Sequence, residues 1–142
     1  MRSPEVLAVR ISPDASTTAL VYPAAKATRV GAALILAHGA GAGQQSPFIV
    51  SFAQALSLLG LDIVTFNFLY SEQRRRLPDR APVLESCYGA AIDATRQGVE
   101  TARRRLFIGG KSMGGRIATQ VVAADAQLDV AGLVLLGYPL HP

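Results

Sequence analysis

Short unbroken apolar runs alternate along this chain with stretches whose apolar residues recur every three to four positions. Residues 6–11 and 17–22 predict two short strands around a Pro/Asp turn. Residues 32–37, "AALILA", predict a strand buried on both faces. A glycine-rich loop, "HGAGAGQQS", follows, and Pro47 then stands where the first turn of a helix tolerates proline. Phe48, Phe52, Ala55, Leu56 and Leu59 recur at helical spacing up to Gly60. Residues 61–66 predict the next buried strand, and "LYSEQRRRLPDRAP" a polar connection. Leu84, Cys87, Ala91, Ala94 and Gly98 mark one face of a helix running to residue 102. Residues 106–109 predict a strand. Ile117, Ala118, Val121 and Val122 predict a further helical face, and residues 130–136 a last strand.

Strands that alternate with helices predict one domain over residues 1–142, built as three layers around a mostly parallel sheet with helices on both faces. Ligands of such sheets bind beyond the carboxyl ends of the strands. "HGAGAG", "NFLYSEQRRR", "GGKSMGG" and "GYPLHP" each follow a predicted strand, so they converge on one sheet edge.

Composition acts mainly by exclusion. With 50% hydrophobic and 17% charged residues, the 142-residue chain has the make-up of a folded domain. Its net charge of +4 owes much to two arginine runs, Arg74-Arg75-Arg76 and Arg103-Arg104-Arg105. No basic stripe with interleaved aromatics accompanies them, so nucleic acid is not an expected partner. A single cysteine, Cys87, and two histidines argue against a disulfide framework or a zinc cage, and neither metal nor cofactor is expected. The N-terminus lacks an apolar signal core, and no run approaches the roughly 18 apolar residues of a membrane span. The expectation is a soluble, cytoplasmic protein.

The stretch "FIGGKSMGGR", residues 107–116, carries two signatures. Gly110-Lys111-Ser112 resembles the tail of a phosphate loop, G-x-x-x-x-G-K-[ST]. The first glycine of that loop would be Arg105, and residues 106–108 read as strand, so the cradle is missing. Gly110-Lys111-Ser112-Met113-Gly114 is also G-x-S-x-G, the nucleophile elbow. That motif needs a strand before it and a helix after it, and both are predicted here. Gly110 and Gly114 remove side chains on either side of the turn. Ser112 is then the candidate nucleophile at a helix N-terminus, and the Met113 N–H forms half of an oxyanion hole. The plainer reading of the same letters is a serine capping a helix in a glycine-rich turn.

The other half of the hole is expected from the loop after an earlier strand. His38-Gly39 ends residues 32–37, and Ala40 is the expected N–H donor. A dinucleotide loop, G-x-G-x-x-G, fails here: the sixth position is Gln44 counted from Gly39 and Ser46 counted from Gly41. His38 reads as a residue that orients the loop rather than as a catalytic base. Lys111, Asn67, Tyr70 and His141 are candidate pocket residues. Glu72 follows the same strand as Asn67 and Tyr70.

Together "LAHGAGAG", "FNFLYSEQRRRLPDRAPVLE", "GGKSMGGRIA" and "LVLLGYPLHP" resemble the α/β-hydrolase superfamily, in its dienelactone-hydrolase-like group. They are most similar to predicted hydrolases with testis-expressed and chromatin-complex relatives. The resemblance runs from about residue 30 to the end, with the motifs in the family's order. It implies an α/β-hydrolase fold, Ser112 as nucleophile, and the Ala40 and Met113 amides as oxyanion donors. It implies a small-molecule ester or acyl substrate without saying which one.

The triad order for this fold is serine, acid, histidine. After Ser112 the only acids are Asp125 and Asp129, both before the last strand, and the only histidine is His141. The resemblance implies further strands carrying the acid and base, at about 30 residues per unit. The chain therefore reads as an N-terminal fragment, with its sheet truncated after the sixth strand, and with weak or no hydrolase activity by itself. The last strand is then an uncovered apolar edge, an expected route to homo-oligomers. The alternative is a non-catalytic interaction module that kept the fold. A further rival reads Lys111 and Arg74–Arg76 as a site for anionic ligands.

Overall fold

The structure, a computed structural model, describes residues 3–140. Strands β1 (Glu5–Ser12) and β2 (Ala15–Tyr22) form an antiparallel hairpin. They are followed by β3 (Ala33–Ala37), α1 (Pro47–Leu58), β4 (Asp62–Phe66), the single turn α2 (Leu69–Glu72), α3 (Ala81–Gly98), β5 (Leu106–Lys111), α4 (Met113–Ala124) and β6 (Gly132–Leu136). One six-stranded sheet has the order β1-β2-β4-β3-β5-β6. From β4 to β6 all neighbours are parallel, so the carboxyl ends of β4, β3, β5 and β6 lie side by side. β2 joins β4 antiparallel.

The side-chain period of two decides which residue meets which layer. Ala33, Ile35 and Ala37 of β3 point to one face, with Val64 and Phe66 of β4 and Ile108 of β5. There they meet α3 and α4 through Leu84, Cys87, Tyr88, Ala91, Ile92, Ile117 and Ala118. Leu34 and Ile63 point to the other face and meet Ala53 of α1. Burial of Cys87 pushes its thiol up to about 12, so this lone cysteine is an inert core residue.

Three expectations are corrected. The second face is only partly covered, because α1 is the one long helix on it. Val30, Leu34, Leu59, Leu61, Phe107 and Val134 line an open apolar hollow there of about 400 Å³. The buried stripe of α1 is Ile49, Ala53 and Ser57, not the predicted one. Phe52, Ala55 and Leu59 are exposed, and Phe48 stacks on Phe52 with ring centroids 4.7 Å apart. Small Ala53 and Ser57 let the helix axis approach the sheet, which the phenylalanines would hold off. Finally, the helix expected to run to residue 102 stops at Gly98. Val99 is extended, and a separate 3-10 turn follows at Glu100–Arg103. Among the described residues no helix is long and apolar enough to cross a membrane.

Candidate active site

β5 ends at Lys111 and α4 begins at Met113, so a single residue turns the chain from strand to helix. That residue is Ser112, with φ 53° and ψ −114°. Positive φ is uncommon for a residue with a Cβ and costs about 1–3 kcal/mol, so the surroundings must enforce it. The Ser112 N–H donates to the Leu136 carbonyl of β6 at 2.8 Å, and its own carbonyl accepts the Arg116 N–H at 3.1 Å. The side chain is half-buried and makes no cap bond to the helix.

Gly110 and Gly114 let this turn press against the end of β3. A Cβ on Gly114 would lie 2.5 Å from the Ala37 carbonyl oxygen and 2.6 Å from that of His38. One on Gly110 would lie 2.5 Å from the same Ala37 oxygen. The turn and the loop after β3 are therefore in backbone contact. Gly39 faces the serine, since a Cβ there would lie 3.6 Å from the Ser112 Cβ. Among the described residues the N–H groups of Ala40 and Met113 find no acceptor. Ala40 is exposed and Met113 half-buried.

The loop after β3 is braced from beneath. His38 is fully buried. Its Nε2 accepts the Phe68 N–H at 3.1 Å, which leaves Nδ1 to donate to the Gly39 carbonyl at 2.8 Å. With both nitrogens engaged, the ring fixes the loop's first peptide and abstracts no proton. Asn67 and Tyr70 sit at the same support. The Asn67 Oδ1 accepts the Gln44 N–H at 2.9 Å, and the Tyr70 hydroxyl accepts the Gly41 N–H at 3.3 Å. Gln44, which the sequence pattern gave no role, ties the loop to β2 and β4: its Nε2 donates to the Thr18 carbonyl and its Oε1 accepts from the Thr65 hydroxyl, each at 2.9 Å. Glu72 accepts from Asn67 Nδ2 at 2.9 Å and from the Thr18 hydroxyl at 2.8 Å. Lys111 lies across α1 instead, with Nζ 4.8 Å from the Phe48 ring centroid, a cation–π contact. His141 falls outside the described residues. Asp125 caps the far end of α4, about 18 Å from Ser112 along a 12-residue helix. The Asp129 carbonyl accepts from Arg96 on α3. Among the described residues no three His, Cys, Asp or Glu side chains cluster as a metal site would need.

Burial holds the His38 ring below its ordinary 6.5, opposed only by the bond to Gly39. The unfolded chain therefore takes up this proton first as pH falls. Stability is complete above about pH 6.5 and declines as pH drops through the lower folded value. Thermal melting between about pH 7 and pH 5 should fall more steeply in the native chain than in His38→Gln, whose amide does not titrate. Parallel slopes would remove His38 as a source of acid sensitivity.

A family model described as an alpha/beta hydrolase domain matches residues 30–142. The chain belongs to the α/β-hydrolase domain family. It is similar in structure to an α/β serine hydrolase without a lid from Xanthomonas campestris, with TM-score 0.79 and 20% identity; the match covers 98% of this chain and 63% of that one. It is similar to a serine hydrolase homologue from Coxiella burnetii, with TM-score 0.78 and 19% identity, covering 99% and 65%. It is also similar to the dienelactone hydrolase of Anabaena variabilis, with TM-score 0.72 and 22% identity, covering 94% and 63%. The α/β-hydrolase chain thus spans a little under two thirds of the length of these structures.

Proposed function

We propose that Ser112 is the nucleophile of an acyl-transfer site whose substrate is a small ester or related acyl compound. The observation that carries this reading is the backbone of Ser112. Its strained φ of 53° is held between β5 and α4 with no capping bond to repay it. A serine that merely caps a helix has extended backbone and bonds the next turn. Strain without a structural return is characteristic of residues placed for chemistry.

In this reading the Ser112 Oγ bonds to the acyl carbon, and the carbonyl oxygen gains the negative charge. The Ala40 and Met113 N–H groups, unengaged and on adjoining segments, stabilise that oxyanion. The leaving group departs with the proton, and water then releases the acyl group from Ser112. His38 cannot accept the proton, because both of its ring nitrogens are occupied. The base is therefore a group other than His38.

The test is labelling with a fluorophosphonate and mapping of the adduct by mass spectrometry. The adduct should fall on Ser112 and vanish in Ser112→Ala. Labelling should be slow, because no carboxylate among those after Ser112 stands at the site to orient a base. Label on another residue, or undiminished label in Ser112→Ala, would overturn the reading.

A further inference from the structure

Beside the loop after β3 the structure has a second concavity, of about 430 Å³, lined by Gly41, Ala42, Tyr70, Arg74, Arg75 and Arg76. Gly41 and Ala42 bring it to the loop that carries Ala40. Gly41 is two residues from Gly39, which faces Ser112. Since consecutive Cα atoms are about 3.8 Å apart, this wall begins within about 8 Å of Gly39.

The charge on this rim is unbalanced. The segment 72–80 carries four arginines, Arg74, Arg75, Arg76 and Arg80, against two carboxylates, Glu72 and Asp79. Asp79 is taken by Arg75, with N–O 3.0 Å, and by the Tyr70 N–H at 3.0 Å. Glu72 turns toward β2, where it accepts from Thr18 and Asn67. Among the described residues Arg74 and Arg76 have no acidic partner. The backbone of Arg74 and Arg75 is fixed: Arg74 has φ 60°, its N–H donates to the Ser71 carbonyl, and the Arg75 N–H donates to that of Tyr70. These two bonds close the end of α2 with Arg74 as its left-handed cap, and the turn leaves Arg74 and Arg76, neither with an acidic partner, on the lining of the cavity, where an anion of matching charge would neutralise them. Guanidinium forks suit phosphate oxygens, and a phosphate monoester is close to a dianion at neutral pH.

We propose that this cavity is a subsite for a phosphate monoester, held by Arg74 and Arg76. Resting on the acyl-transfer reading of Ser112, it makes the substrate an ester that also carries a phosphate group.

Phenyl phosphate tests the site by calorimetric titration at low salt, with benzoate as the singly charged comparison. The variants are Ser112→Ala and the pair Arg74→Asn with Arg76→Gln, asparagine being chosen because it tolerates left-handed backbone. Phenyl phosphate should bind the native chain and Ser112→Ala equally, and the arginine variant at least tenfold more weakly. Benzoate should bind the native chain at least tenfold more weakly than phenyl phosphate. Should the double variant melt early, Arg76→Gln alone is to show a severalfold loss. Unchanged affinity in the arginine variants, or benzoate binding as well as phenyl phosphate, overturns the proposal. A chain that takes no fluorophosphonate at Ser112 yet binds phenyl phosphate through the arginines would refute the nucleophile and leave the anion site standing.

Discussion

Gly109→Ala is expected to unfold this chain or to lower its melting midpoint by at least about 10 °C. A Cβ at residue 109 would lie 1.8 Å from the Val134 carbonyl oxygen, 2.7 Å from its carbon and 2.9 Å from its nitrogen. All three are backbone atoms of β6, so no change of rotamer relieves the clash. Overpacking that side chains can absorb costs about 1–3 kcal/mol. Here a whole strand must leave, and with it the bond from the Ser112 N–H to Leu136. A domain of this kind has about 5–15 kcal/mol in total. Loss of near-UV circular dichroism together with early melting is the expected result. An alanine variant that melts within two or three degrees of the native chain would mean that β6 does not lie over Gly109.

The architecture was legible where neighbouring letters settle it. The unbroken run at Ala33–Ala37 and the short apolar stretch around Asp62–Phe66, bounded by turn residues and too short for a helix, read as buried strands, and the structure pairs them in parallel. The G-x-S-x-G junction was readable for the same reason, since strand, turn and helix are consecutive in the chain. The phase of α1 was not readable. "PFIVSFAQALSL" is apolar around most of its circumference, and periodicity cannot choose between two adjacent stripes. Only the sheet selects Ala53 over Phe52. The turn Leu69–Glu72 escaped notice because one helical turn is too short to show a period, although it carries the buried Tyr70. The groups that hold the site act across the chain. Gln44 reaches Thr18 and Thr65, and Tyr88 reaches Gly109, over separations of 21 to 26 residues that no local pattern encodes.

Tyr88→Phe is the other substitution expected to act far beyond its size. Tyr88 is fully buried on α3 beneath the sheet. Its hydroxyl donates to the Gly109 carbonyl at 2.7 Å and accepts the Gly109 N–H at 2.9 Å, with the Ile35 carbonyl 3.3 Å away. Phenylalanine removes one oxygen and leaves two backbone groups of one residue unpaired in the core. An unsatisfied buried group costs about 1–3 kcal/mol, so the pair should cost about 2–6 kcal/mol. The space vacated is that of a single hydroxyl, too small for water to repair. Urea unfolding should show a lower midpoint with an unchanged slope, which marks lost stability rather than a changed unfolded state. Burial pushes the Tyr88 hydroxyl far above its ordinary value, so this contribution should be constant across neutral pH, unlike that of His38. The effect should also reach the serine. Gly109 lies on β5 three residues before Ser112, so slack in β5 is expected to reach the turn and its positive φ. Fluorophosphonate labelling of Tyr88→Phe, measured where the variant is still folded, should therefore be slower than that of the native chain. Labelling at the native rate in a folded but destabilised variant would show that the turn enforces its own geometry and owes nothing to the strand beneath it.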